Sequence, residues 1–362
     1  MEFTLKAVTR ETCYSQHELD SAIKSVKAKK NILILAPDKF GKSSFLLKLS
    51  EKIEETKQYL PILLSAQGCI TLQAYIRKNL TKMLKVVPEL FGADPEELFS
   101  LSLIDIDKRV SALNAGDAVK QSLKLLLMFE HDSKIEIEEV VRTFFSFPSL
   151  LAKDAKKTAV IMIDDAERLS DIKSDKTSLA MIFDMFDTME DSVWVFTSSR
   201  ALPIKDIEEL RLSPLSIDSA RQFFKEGKLE LDEATLSTIH NMTEGVPFYL
   251  NFMARLISGS GSVDSDAVKA MLDDVLGNEL HLYFSERIKL LSPKELPILF
   301  CMAEHDVNTP SRISKILNYS QTNVRRFLSI MEEKGFVTLK DRGVFEINDP
   351  IFRRWLETQA KR

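Results

Sequence analysis

Residues 36–44 read Ala-Pro-Asp-Lys-Phe-Gly-Lys-Ser-Ser, directly after the apolar run Asn31-Ile32-Leu33-Ile34-Leu35 and directly before Phe45-Leu46-Leu47-Lys48-Leu49. A buried strand, a tight loop and a helix in that order restrict the architecture more than any other stretch of the chain. Such a loop surrounds phosphate oxygens with backbone N–H groups at a helix N-terminus, a lysine reaches the β and γ groups, and a hydroxyl is offered to Mg²⁺. Lys42 and Ser43 occupy those two places, and Gly41 lets the backbone approach the phosphate. Ala36, Pro37, Asp38, Lys39, Phe40, Gly41, Lys42, Ser43 and Ser44 are the nucleotide contacts this pattern predicts. Ala36 stands where the strict pattern has glycine, so the match is to the looser form that admits a small residue.

A second apolar run, Thr158-Ala159-Val160-Ile161-Met162-Ile163, ends abruptly in Asp164-Asp165-Ala166-Glu167. A central strand buried on both faces, with its C-terminal end at the phosphate site, has this form. Asp164 is placed to hold Mg²⁺ opposite Ser43. Asp165 stands where many P-loop ATPases put a glutamate that polarises the attacking water. Aspartate is one methylene shorter, so either slow hydrolysis or a water held by rearrangement is expected, with Glu167 ranking behind Asp165 as a substitute base.

The run Ser192-Val193-Trp194-Val195-Phe196 repeats the logic and ends in Thr197-Ser198-Ser199-Arg200. A cation there is placed to contact the γ-phosphate, against the alternative of an ordinary surface arginine. Further on, Thr243-Glu244-Gly245-Val246-Pro247 precedes an apolar helix, and proline is pre-set for a first helical turn.

Around these motifs the chain divides by pattern. A helix is expected at 17–23, a strand at 61–64, a helix at about 72–84, and a helical insertion from about 88 to 147. Strand signals stop after 210–215, helices follow to about 257, and Ser258-Gly259-Ser260-Gly261-Ser262 looks like an exposed loop. From 292 onward three helices (294–303, 310–317, 321–334) and two short strands (336–339, 344–347) are expected, the order of a winged helix-turn-helix. The fold class is therefore α/β. A P-loop NTPase core with a parallel sheet and helical crossovers spans 1–212, a helical lid 213–290, and a winged helix-turn-helix domain 291–362.

At 362 residues, 44% hydrophobic and 28% charged, the chain has a composition that excludes disordered and fibrous classes. Neither a signal-peptide stretch nor an apolar segment of membrane-spanning length is present in the sequence, so a cytoplasmic protein with no membrane partner is expected. Cys13, Cys69 and Cys301 lack the spacing of metal ligands and are expected to be reduced thiols. Residues 293–362 carry twelve Lys or Arg against nine Asp or Glu, a surplus of +3, leaving −8 for the rest of the chain. That surplus is compatible with nucleic acid but far below a strongly basic footprint.

Together, the stretches 36–44, Ile-Asp-Asp-Ala-Glu at 163–167, Thr-Ser-Ser-Arg at 197–200, Leu-Ser-Pro-Leu-Ser at 212–216 and Gly-Val-Pro at 245–247 resemble the archaeal ATPase family. That family belongs to the STAND class of P-loop ATPases and lies close to AAA+ proteins. The segment Asn348-Asp349-Pro350-Ile351-Phe352-Arg353-Arg354-Trp355 resembles its closing helix. The resemblance implies an ATP/ADP-binding core with Mg²⁺, a lid, and a winged helix that closes over or releases the nucleotide. It implies that Pro247 touches the adenine or ribose, that Arg200 senses the γ-phosphate, and that Lys42, Ser43 and Asp164 hold MgATP. Two functions are expected: a nucleotide-operated switch with slow ATPase activity and an unnamed protein partner, or a regulator or mobile-element-associated protein that binds double-stranded DNA through the winged helix. In the second, Gln321, Thr322, Asn323, Arg325 and Arg326 form the recognition helix, with Lys340 and Arg342 in the wing.

Overall fold

The computed structural model describes residues 16–91, 95–131, 135–174, 177–186, 189, 191–259 and 263–360. Cys13 and residues 260–262 of the expected Ser/Gly loop lie outside the described residues.

Five parallel strands form the central sheet: β1 (Ile32–Leu35), β2 (Tyr59–Ser65), β3 (Thr158–Asp164), β4 (Ser192–Ser198) and β5 (Glu208–Arg211). Their spatial order is β2-β3-β4-β1-β5. The register sets Leu35 beside Ser198, Ile163 beside Phe196 and Ser65 beside Asp164. The ends of β1, β3 and β4 that carry the motifs therefore meet along one edge of the sheet.

Side chains alternate between two cores, as the period of two along a strand requires. Ile32, Ile34, Val160, Met162, Val193 and Val195 face the first; Leu33, Leu35, Ile161, Ile163, Trp194 and Phe196 face the second. Helices α1 (Gln16–Lys27) and α2 (Lys42–Glu54) cover the first face. Helix α3 (Leu72–Val86) and the insertion cover the second, the longer insertion helices being α4 (Leu103–Ser111), α5 (Asp117–Met128) and α6 (Ile137–Asp154).

The insertion runs past the expected end at 147, because α6 passes through Pro148. A proline inside a helix costs about 3 kcal/mol through its missing N–H and its ring clash. Phe144, Phe145, Phe147 and Leu151 are completely buried on either side of it. At about 1.5–3 kcal/mol for each such side chain, burial outweighs the proline, and the helix continues.

Beyond the sheet the chain is helical: α7 (Ile217–Glu226), α8 (Glu233–Thr243), α9 (Pro247–Ile257), α10 (Ser265–Gly277) and α11 (Glu279–Ile288). Then come α12 (Leu296–His305), α13 (Pro310–Leu317), α14 (Gln321–Glu333), the antiparallel hairpin β6 (Val337–Asp341) and β7 (Val344–Ile347), and α15 (Pro350–Ala360). The expected succession of three helices and two short strands is the one observed. The first core is continuous from the sheet through Leu250 and Met253 to Phe336, Phe352 and Trp355. Among the described residues, no helix is long and apolar enough to cross a membrane.

Candidate functional site

The loop between β1 and α2 is shaped by its backbone. Lys39 and Gly41 both take the left-handed conformation, with φ of 74° and 82°. Turns of this kind aim successive N–H groups into one concavity, and α2 begins immediately afterwards at Lys42. Ala36 is not among the positive-φ positions and is buried against the first core. Its methyl group therefore sits in ordinary backbone geometry, and the backbone conformation does not require glycine at this position. Lys42 is nearly buried, and its ammonium donates to the carbonyls of Ala36 at 3.0 Å and Pro37 at 3.3 Å and to Asp38 Oδ1 at 3.4 Å. A buried cation held by carbonyls of its own loop is ready to exchange them for phosphate oxygens. Ser44 is buried in the first turn of α2, and Phe40 packs against the first core.

Ser43 Oγ donates to Asp164 Oδ2 at 2.7 Å, across 121 positions of sequence. The other carboxylate oxygen, Oδ1, accepts from Thr197 Oγ1 at 2.8 Å. Thr197 is fully buried, and its hydroxyl in turn accepts the Asp165 N–H at 3.0 Å. One threonine thus fixes both adjacent aspartates from the neighbouring strand. The sequence presented Thr197 only as part of a polar strand end, and the pairing of β3 with β4 is what gives it this role.

Asp165 immediately precedes a short 3-10 turn, Ala166–Ser170, with a left-handed φ of 51°. Burial first, and the carboxylates of Asp164 and Glu167 next, push its carboxyl up to about 6. Glu167 is committed elsewhere, since its Oε1 accepts both the N–H of Ser199 at 3.0 Å and its hydroxyl at 2.5 Å. Its buried Oε2 has no hydrogen-bond partner among the described residues.

Pro247 opens α9, as its fixed φ favours. The next N–H, of Phe248, donates to the carbonyl of Lys39 at 3.2 Å, so the start of α9 rests on the phosphate loop. Gly245 makes this approach feasible. Its φ is 71°, and a Cβ there would lie 2.2 Å from the carbonyl oxygen of Leu215, a distance no side chain tolerates. The Leu-Ser-Pro-Leu-Ser and Gly-Val-Pro stretches are thereby docked on each other, with Leu215 N–H donating to Gly245 O at 2.9 Å. Arg200 is different. It is exposed just beyond β4, its backbone closes on Ser198 Oγ, and its side chain makes no ion pair or hydrogen bond among the described residues.

Ser43 and Asp164 offer only oxygen donors, as a hard dication such as Mg²⁺ prefers, and Mg²⁺ with nucleotide takes its other ligands from phosphate and water. Their 2.7 Å contact brings the two donors to one point at the mouth of the phosphate loop. The residues present fit that ion.

No family model and no curated protein matches the chain. Among solved structures it is similar to a Walker-type ATPase of Pyrococcus abyssi, with a TM-score of 0.68 and 18% identity over 98% of this chain and 99% of that one. It is also similar to the RuvB Holliday junction branch migration motor of Thermotoga maritima, at a TM-score of 0.43 and 11% identity, covering 96% of each chain. A third is the Orc1 protein of Aeropyrum pernix in complex with DNA, at 0.43 and 10% over 98% of this chain and 94% of that one. The first likeness shows a P-loop ATPase fold along nearly the whole chain, and the other two are too remote in shape to add to it.

Proposed function

We propose that this chain is an ATPase of low turnover in which the bound nucleotide sets the position of the C-terminal unit. The observation that carries the reading is the Ser43 Oγ to Asp164 Oδ2 contact of 2.7 Å beside a loop with two left-handed positions. In this reading Lys42 leaves its loop carbonyls for the β- and γ-phosphates, and the N–H groups from Asp38 to Ser44 surround the phosphate chain. Ser43 and Asp164 would hold Mg²⁺, which when bound would supply positive charge against the phosphate oxygens. Asp165 takes the proton of the attacking water. Glu167, already accepting twice from Ser199, serves as a brace for that turn instead of as the base. Arg200, exposed and uncommitted, is free to swing toward the γ-phosphate.

The boundaries 1–212, 213–290 and 291–362 are proposed as core, lid and winged helix. Membership of the STAND class is proposed on the motif set together with the seating of α9 on the phosphate loop. ATP must bind one arrangement of these units more tightly than another for the switch to work. Steady-state hydrolysis with and without Mg²⁺, in wild type and Asp165→Asn, tests the enzymatic part. Slow Mg²⁺-dependent turnover that disappears in the variant is the expected result, and equal rates in both would remove Asp165 from the mechanism.

One observation favours a second reading, duplex DNA as a ligand. On α14, Gln321, Thr322, Asn323, Arg325 and Arg326 are exposed while Val324, Phe327 and Leu328 are buried. Polar groups of hydrogen-bonding type thus line one face of a helix that precedes an exposed wing with Lys340 and Arg342. Loss of duplex binding in Arg325→Ala/Arg326→Ala, with ATP affinity kept, would support it. Absence of binding at low salt would exclude it.

A further inference from the structure

Lys39 holds a left-handed φ in the loop between β1 and α2, and its side chain turns toward α9 and the start of α15. The ammonium donates to Tyr249 Oη and to Asp349 Oδ2, the latter at 2.8 Å across 310 positions of sequence. It also lies 4.6–5.5 Å from the ring centroids of Phe248, Tyr249, Tyr283 and Phe284. Asp349 is almost fully buried and accepts in addition from Arg287 at 3.0 Å, from Tyr249 Oη at 2.6 Å and from the Phe352 N–H at 2.9 Å. Arg287 is itself stacked on Phe336 and Phe352. One carboxylate at the start of α15 therefore joins the phosphate loop, α9, α11 and the C-terminal unit.

A lysine does not hold a left-handed φ of 74° by its own preference, because its Cβ crowds the backbone there. Such a conformation persists when the surroundings over-determine it. Two restraints do so here: the Phe248 N–H on the Lys39 carbonyl and the Asp349 carboxylate on the Lys39 ammonium. Both come from outside the core that carries the loop. The buried carboxylate also serves two cations, Lys39 and Arg287, so its removal would leave both without a counter-charge at a packed junction.

We propose that Asp349 is a positioning residue for nucleotide binding: through Lys39 it holds the phosphate loop in the turn that phosphate requires, and so couples loop shape to the docking of the C-terminal unit. The inference rests on the nucleotide-binding reading above for its ligand, but the coupling of Asp349 to loop shape stands without a ligand. By reciprocity, a nucleotide that favours the turn also favours docking of α15.

The experiment has one arm without nucleotide and one with ADP, which avoids turnover. Amide hydrogen exchange of peptides covering 36–43 is measured in the nucleotide-free protein, wild type against Asp349→Asn, Lys39→Met and Tyr249→Phe. Exchange in the loop should accelerate in all three, least in Tyr249→Phe, which keeps the ring and loses only the hydroxyl. In the second arm the Kd for ADP should rise by about fivefold or more in Asp349→Asn. The double variant Lys39→Met/Asp349→Asn should bind no more weakly than the weaker single variant, since both break one linkage. A generally loosened protein would give additive losses instead. Unchanged loop exchange in folded Asp349→Asn, ADP affinity within about twofold of wild type, or additive losses would each overturn the proposal. Should Asp349→Asn fail to fold, Lys39→Met and Tyr249→Phe carry the same two readouts. Failure of the wild type to bind ADP would contradict the nucleotide reading, and the exchange arm would still decide whether Asp349 shapes the loop.

Discussion

Thr197 Oγ1 lies 2.8 Å from Asp164 Oδ1 and 3.0 Å from the backbone nitrogen of Asp165, donating to the first and accepting from the second. A single buried hydroxyl on β4 thus orients the carboxylate proposed for Mg²⁺ and the backbone of the residue proposed as base. Thr197→Val keeps the shape and removes both bonds, leaving a carboxylate oxygen and an N–H without partners. The expected cost is about 1–3 kcal/mol of stability, read from denaturant unfolding. Loss of an orienting partner also weakens metal affinity or activity by about 10–100-fold, read as the Mg²⁺ concentration that half-saturates hydrolysis. A variant with wild-type Mg²⁺ dependence would contradict the assignment.

Gly245 faces the Leu215 carbonyl with no room for a side chain. Gly245→Ala combines a left-handed φ with a backbone clash and should destabilise the protein by at least about 1–3 kcal/mol. Chemical denaturation checks the stability. Nucleotide affinity should fall with it, because α9 rests on the phosphate loop through Phe248.

Ala36→Gly tests a departure from the loop pattern. Since Ala36 is buried and has no positive φ, restoring glycine should not improve nucleotide affinity. It should instead lower stability by about 0.4–1 kcal/mol through the greater freedom of the unfolded chain. A marked gain in ATP affinity would show that the methyl group obstructs the phosphates.

The pH dependence follows from Asp165. The carboxylate is the working form of a base, and burial with Asp164 and Glu167 raises its midpoint to about 6. Protonation therefore removes activity as pH falls through that value, by about tenfold per unit below it. A cation on Asp164 replaces a negative neighbour with a positive one and moves the midpoint down. The acid limb of kcat should accordingly have its midpoint at or below about 6, whereas a midpoint above about 7 would assign the base to another group.

Much of the site was legible because its parts are contiguous in sequence. The strand, loop and helix around Lys42, and the apolar run ending at Asp164, each carry their own signal of burial followed by polarity. The continuation of α6 through Pro148 is not legible along the chain, because the aromatic burial that outweighs the proline is tertiary. Whether Ala36 matters depends on a φ that residue identity does not reveal. Thr197 needs the β3–β4 pairing, and Lys39 needs a carboxylate 310 positions away, so neither role could be read along the chain.

The most direct test of the central claim is equilibrium binding of ATP in the presence of Mg²⁺ to the wild type and to Lys42→Ala, by calorimetry. Saturable one-site binding that is lost in the variant is the predicted result. An absence of binding in the wild type, or equal affinity in both, would contradict a nucleotide site at this loop.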